Sequence, residues 1–218
     1  MQLTWYGHSA FLVEASDGTR IIVDPYRPGA FGKELTYGPI NETADAVLAS
    51  HAHEDHGAVD TIPGHPLTAV HPRGLTVGTV SVAGVPTKHD EAGGQKRGEN
   101  TVIILEADGL RVAHLGDLGH RLSADERKNI GAVDVLLIPV GGYFTIDADQ
   151  AADVVNTLQP AVVVPMHFRN RSCSFPIAPV DDFLATQLRV VRAGSSVLDL
   201  DSTALPQQTT TYVLEPAR

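Results

Sequence analysis

Apolar residues in the first half of the chain fall in short blocks of four or five, the spacing of strands rather than helices. Leu3-Thr4-Trp5-Tyr6, Ala10–Glu14 and Arg20–Val23 are rich in branched and aromatic side chains and are interrupted by Gly7 and Asp17-Gly18. Asp-Gly pairs suit tight turns, so the second and third blocks are predicted to pair as a hairpin. A Gly/Pro-rich loop spans residues 25–40, and Ala46-Val47-Leu48-Ala49-Ser50 then reads as a buried strand. Further strands are expected near 75–85, 101–106 and 111–115.

The second half alternates helices with strands. Helices are predicted over 123–129, 147–158 and 180–188, and strands over 133–139, 161–164 and 197–200. Asp147 with Gln150 three residues later is the signature of a capping box. No linker or low-complexity segment divides the 218 residues. The expectation is a single domain over residues 1–218, of α/β class, in which two mixed sheets pack face to face with helices outside.

Composition narrows the function. The 26 acidic and 16 basic residues leave a formal charge of −10, which disfavours a long nucleic-acid track. A small-molecule substrate, including an anionic one, remains compatible if bound cations offset the charge locally. No stretch reaches membrane-spanning length and the start does not resemble a signal peptide. The single cysteine, Cys173, excludes an internal disulfide and fits a reducing cytoplasm. It sits in a Ser-Cys-Ser loop and is expected to be neither ligand nor nucleophile. Both a monomer and a homo-oligomer are compatible with these properties.

The chemistry is concentrated in His51-Ala52-His53-Glu54-Asp55-His56, which follows the 46–50 strand and precedes Gly57. Imidazoles and carboxylates suit zinc, manganese, nickel or iron. Six residues cannot wrap all four ligands round one ion, so the alternation suggests that His51 and His53 serve one metal while Asp55 and His56 reach another. Three more candidates stand where strands end: His89, Asp117 and His167. Among the remaining histidines, His65 and His71 sit beside prolines and are expected at the surface. His114 is expected to pack or hydrogen-bond. His8 and His120 are candidates for supporting or substrate-contacting roles, and Asp24 for a carboxylate that orients the 51–56 loop. Asp55 is the candidate catalytic group, positioned to orient an attacking water or carry a proton. Around the rim, Tyr26, Arg27, Phe31 and Tyr37 of the 25–40 loop and Gly141-Gly142-Tyr143-Phe144 are candidates to line a cleft. Arg97, Arg169 and Arg171 are candidates to neutralise an anionic group, although each is expected first as a solvated loop charge.

Together, the HxHxDH run at 51–56, His114-Leu115-Gly116-Asp117 and Pro165-Met166-His167-Phe168 resemble the metallo-β-lactamase superfamily. The opening Leu3–Ala10, Ile22-Val23-Asp24-Pro25, and His89–Gly94 with Arg97, Gly98 and Asn100 are similar to its branch of small metal-dependent hydrolases related to ascorbate-phosphate lactonases. That resemblance implies an αββα sandwich with two divalent metal ions between the sheets; the histidine-rich set itself tolerates zinc, manganese, nickel or iron, with zinc the first choice and manganese the second. It implies His51, His53 and His89 on one metal, Asp55, His56 and His167 on the other, and Asp117 bridging. The implied activity is hydrolysis of a small ester, lactone, amide or phosphoester by a metal-bridging hydroxide. A phosphodiesterase or nuclease, an iron-dependent oxidoreductase and a non-catalytic metal-binding protein are the alternatives.

Overall fold

All 218 residues are described by the structure, a computed structural model. Fourteen strands form two sheets. The first contains β1 (Gln2–Gly7), β2 (Ala10–Glu14), β3 (Arg20–Val23), β4 (Ala46–Ala49), β5 (Leu67–Val70) and β13 (Val197–Asp199), in the order β13-β1-β2-β3-β4-β5. The second contains β6 (Gly74–Val77), β7 (Val80–Lys88), β8 (Glu99–Ala107), β9 (Leu110–His114), β10 (Val135–Pro139), β11 (Val162–Met166), β12 (Val190–Arg192) and β14 (Thr210–Val213), in the order β12-β14-β11-β10-β9-β8-β7-β6. Helices α1 (Ala124–Ile130) and α2 (Ala148–Leu158) contact the second sheet, and α3 (Val180–Leu184) packs on α2.

Strand periodicity of two accounts for the layering. Leu3, Trp5, Phe11, Val13, Ile21, Val23 and Leu48 point from the first sheet into one core of 43 buried residues shared with the second sheet. The intervening Tyr6, Leu12, Ile22 and Val47 enter a second core with Tyr26, Leu35, Tyr37, Ile40 and Phe175. The expected α/β sandwich is therefore present. Its cover over the outer face of the first sheet is mainly the 25–40 and 173–177 loops, with one 3-10 turn at Val59–Thr61.

The hairpin at Asp17-Gly18 forms, pairing Glu14 with Arg20. Both long helices begin with capping boxes, Asp147 with Gln150 and Ser123 with Glu126. The predicted 75–85 strand is two strands, because Gly78 at φ 55° turns the chain back on itself. The 180–188 helix stops early: the Thr186 hydroxyl bonds the Phe183 carbonyl and tightens the last turn. β5, β12 and β14 were not predicted. The first two are short edge strands with few buried side chains, which leaves little periodic signal.

Strand direction positions the site. β1, β3 and β4 run parallel, since β2 is antiparallel to both β1 and β3 and β3 pairs parallel with β4. By the same reasoning β7, β9, β10 and β11 run parallel in the second sheet. The C-terminal ends of these seven strands carry His8, Asp24, the 51–56 loop, His89, Asp117, the 141–144 segment and His167.

Candidate metal centre

The structure brings the candidate ligands into two adjoining groups. His51, His53 and His89 offer ligand atoms all within 4.8 Å of one another, and so do His8, Asp55, His56 and His167. Asp117 stands between the groups. One of its oxygens lies 3.1 Å from His89 Nε2 and 3.8 Å from His51 Nε2, and the other lies 3.1 Å from His56 Nε2 and 3.6 Å from His167 Nε2. All seven sequence-predicted ligands are thus gathered, and His8 is nearer than expected. Its Nε2 is 3.3 Å from Asp55 Oδ2, and its ring centroid is 4.2 Å from that of His167.

Several of these atoms are buried without a hydrogen-bonding partner in the protein: Nε2 of His51, His56 and His167, and Asp117 Oδ1. Leaving one such atom unsatisfied costs about 1–3 kcal/mol, so four converging on one place need a common partner. Imidazole nitrogens and carboxylate oxygens in this number fit borderline divalent cations.

One carboxylate sets the orientation of two imidazoles. Asp24 is fully buried, and its Oδ1 accepts the Ser50 backbone N–H at 2.6 Å. Its Oδ2 accepts the Ser50 hydroxyl at 2.6 Å and His56 Nδ1–H at 2.8 Å. Because the Ser50 hydroxyl proton goes to Asp24, its oxygen accepts His51 Nδ1–H at 2.9 Å. The network therefore places a proton on Nδ1 in both histidines and turns both Nε2 atoms toward Asp117. His114 is tied in more loosely, as expected of a packed residue: its Nε2–H donates to the Ser9 carbonyl and its Nδ1 accepts from Gly116 N–H.

His8, Asp24 and His167 have φ of 51°, 49° and 52°. This left-handed conformation is uncommon outside glycine, and at three strand ends it turns each side chain into the sheet edge. The strain is held by tertiary bonds: the His8 carbonyl accepts from His167 N–H at 3.1 Å and from Trp5 Nε1 at 3.0 Å. Glycines allow the ligand loops to touch. A Cβ on Gly119 would lie 2.2 Å from the His89 carbonyl carbon, and one on Gly141 would lie 2.3 Å from the His167 oxygen. Asn100 fixes the Asp117 turn, accepting Asp117 N–H at 2.9 Å and donating to the Leu115 carbonyl at 2.9 Å. The positioning roles of Ser50, Asn100, Gly119 and Gly141 escaped the sequence reading. The available signal was adjacency: Ser50 directly precedes His51 and Gly119 lies two residues beyond Asp117.

His120 does not join the cluster or line the adjoining cavity. Its Nε2 accepts Lys88 N–H at 3.1 Å and its Nδ1 bonds the Arg121 carbonyl, so it ties the end of β7 to the 119–121 turn. His65 is exposed, as expected. His71 is half-buried with Nδ1 bonded to Thr101 Oγ1, which corrects the surface assignment. Cys173 is fully buried in the second core, where burial pushes its thiol pKa up to about 11.

Electrostatics divide the members of the cluster. Burial, with neighbouring His56, lowers His51 to about 3, and burial lowers His167 to about 3, so both imidazoles are neutral. Burial disfavours charge on His56 too, but Asp117 and Asp55 raise its pKa well above the usual value. Asp117 is held well below the carboxylate range: burial opposes its charge, and His167, His56 and His89 overcome that.

Beside the cluster opens a cavity of about 720 Å³. His53, Asp55, His89 and Asp117 form one wall, with Phe31, Tyr143, Phe144, Phe175, Pro176 and Arg97 around it. Glu34 and Glu54 also line it. The 25–40 loop and the 141–144 segment thus contribute to the cavity, although Tyr26 and Tyr37 are buried in the second core. Arg27 instead pairs with Asp60 at 2.6 Å and Glu54 at 3.6 Å. Arg169 and Arg171 are exposed and do not line the cavity.

A two-sheet sandwich with a histidine-carboxylate cluster at one edge is the arrangement of the metal-dependent hydrolases, and the comparisons agree. Residues 2–167 match the β-lactamase superfamily domain, and the chain belongs to that superfamily. It is 29% identical over 209 residues to a UPF0173 metal-dependent hydrolase of Archaeoglobus fulgidus, covering 83% of this chain and 87% of that one. A UPF0173 metal-dependent hydrolase of Methanopyrus kandleri is 32% identical over 203 residues, covering 77% and 84%. A crystal structure from Thermotoga maritima, described as a candidate zinc-dependent hydrolase of the metallo-β-lactamase superfamily, superposes with a TM-score of 0.80. It is 35% identical, with 98% of each chain covered. No helix is long and apolar enough to cross a membrane.

Proposed function

We propose that this member of the metal-dependent hydrolase family acts through a dinuclear centre on a small ester, lactone, amide or phosphoester. The observation that carries the reading is Asp117, whose two oxygens face separate histidine groups at 3.1 Å each. In this reading His51, His53 and His89 would hold one divalent cation, Asp55, His56 and His167 would hold the second, and Asp117 would serve both. Zinc is the first choice and manganese the second. Bound there, the cations would acidify water toward neutral pH and polarise the oxygen under attack.

The remaining chemistry belongs to the chain. Asp55 presents its carboxylate to the cavity with His8 behind it at 3.3 Å, a position from which it can orient the attacking water and take up its proton. Asp24 and Ser50 keep His51 and His56 in the ligating tautomer. The aromatic wall excludes water from the bound substrate. A cavity with an aromatic wall, four carboxylates and a single arginine suits a small organic ester or lactone better than a nucleic acid, whose repeated phosphates need a cationic track. The buried single cysteine fits our reading of a reducing, cytoplasmic setting.

The test is hydrolysis of a panel of small esters, lactones, amides and phosphodiesters by zinc- or manganese-loaded protein. The reading expects turnover of at least one class, abolished in His51→Ala and Asp117→Ala. Turnover that survives both substitutions would contradict it.

A further inference from the structure

Arg97 differs from the other charges of its loop. Glu91 accepts a hydrogen bond from Gln150, and Lys96 is exposed outside the cavity. Arg97 is half-buried, lines the cavity that holds His53 and His89, and stacks its guanidinium 5.5 Å from the Phe144 ring centroid. It has no carboxylate partner, although Glu34 and Glu54 line the same cavity and Glu54 already pairs with Arg27. The backbone beneath it is fixed. The Asp90 carboxylate accepts N–H groups from Ala92, Gly94, Lys96 and Arg97 at 2.7–3.0 Å, which cross-braces the whole 90–97 turn.

A surface arginine gains nothing from such bracing. An arginine that must meet a ligand does, because its fork is then preorganised to take an oxyanion through two parallel hydrogen bonds. The stacking on Phe144 strengthens the case, since it holds the guanidinium plane while leaving its N–H edge free. Next to the arginine, Phe31, Phe144 and Phe175 form an edge-to-face aromatic series, with ring centroids 5.3 and 6.0 Å apart. A cavity with one aromatic wall and one braced cation, opposite the histidine-carboxylate cluster, selects for a ligand of matching form.

We propose that Arg97 is the specificity-determining residue of this site, and that the substrate is a small ester or lactone whose apolar body carries one carboxylate. The carboxylate sits on the Arg97 fork, the body lies against the phenylalanines, and the scissile group faces the ligand cluster. This rests on the hydrolase reading for its reaction but not for its binding geometry.

The experiment compares wild-type, Arg97→Gln and Arg97→Lys proteins, each metal-loaded, on 4-acetoxybenzoate and its neutral methyl ester. Binding of phenylacetate and of phenylacetamide is measured in parallel by calorimetry. We expect Arg97→Gln to lower kcat/KM for the anionic ester about 10- to 100-fold more than for the neutral one, chiefly through KM. Arg97→Lys should fall between, because it keeps the charge and loses the fork. Phenylacetate should bind at least tenfold more weakly to Arg97→Gln, with a smaller change for phenylacetamide. Equal losses on the two esters, or phenylacetate binding that is absent or indifferent to Arg97, would overturn the proposal. If neither ester turns over but phenylacetate binding still depends on Arg97, the ester chemistry assigned to the substrate is what fails and the anion subsite stands; the hydrolase reading itself fails only if the full panel is also untouched. Melting curves of both variants show whether the fold is intact.

Discussion

Replacing Asp24 by Asn tests the inner logic of the centre. The swap keeps the shape, and Asn tolerates the φ of 49° found here, so the backbone is not the variable. The amide oxygen can still accept Ser50 N–H, but an NH2 group now stands where Oδ2 accepted from His56 Nδ1 and the Ser50 hydroxyl. Two donors cannot face each other, so the neutral form of His56 that metal binding requires must carry its proton on Nε2. That atom lies 3.1 Å from Asp117 and is the one that would bind metal. Losing such an orienting partner typically weakens metal binding about 10- to 100-fold. That corresponds to roughly 1.4–2.7 kcal/mol. The metal-free protein also loses a charge-assisted hydrogen bond, about 1.5–3 kcal/mol, which for a chain of this size lowers Tm by roughly 3–12 °C. Chelator-competition titrations give the affinity, and melting curves with and without metal separate the two effects. Wild-type metal affinity in Asp24→Asn would refute the claim that Asp24 sets the His56 tautomer.

Other consequences follow from neighbouring residues. Gly119→Ala would drive a Cβ into the His89 backbone and is expected to weaken metal binding at least tenfold by chelator competition, whereas Gly38→Ala, with nothing within 4 Å, should match wild type. Cys173 should resist a thiol reagent in the folded protein at pH 8 and react once in denaturant, because burial keeps it as the thiol. Rapid reaction in the native state would place it outside the core. For Asp90, burial pushes the carboxyl pKa up, but four backbone N–H groups prevail and hold it at about 2, below its ordinary 3.8. Its stabilisation is therefore complete above pH 3.8 and is lost as the pH falls through 2, so Asp90→Asn should melt lower at pH 6 and show a shallower acid decline than wild type. Parallel acid profiles for the two proteins would contradict this.

The members of the cluster were legible in the sequence because a metal site demands particular residue types at strand ends. His89, Asp117 and His167 each follow an apolar run, and the structure places them together as that pattern implies. What the sequence left hidden depends on tertiary approach. Gly119 matters only because the 119–121 turn crosses His89, and Asn100 only because its amide spans β8 and the Asp117 loop. His8 read as a supporting or substrate-contacting candidate rather than a member of the cluster, because its left-handed backbone, which turns it onto Asp55, leaves no mark in the sequence. The strands went astray for a related reason. β12 and β5 lie at sheet edges with mostly exposed residues, so burial imposed no alternation on them. Arg97 could not be told from Arg169 and Arg171 as an anion-neutralising candidate or a solvated charge until its cavity and the Phe144 ring were in view.

The central claim is that Asp117 joins two metal-holding groups, and metal stoichiometry tests it most directly. The protein would be stripped with chelator, reloaded with zinc or manganese, freed of excess ion and analysed for metal per chain, alongside Asp117→Ala. The account predicts about two equivalents in the wild type, and in the variant a loss of affinity at both positions. One equivalent or less in fully reloaded wild-type protein, or an Asp117→Ala variant that still holds two, would contradict it.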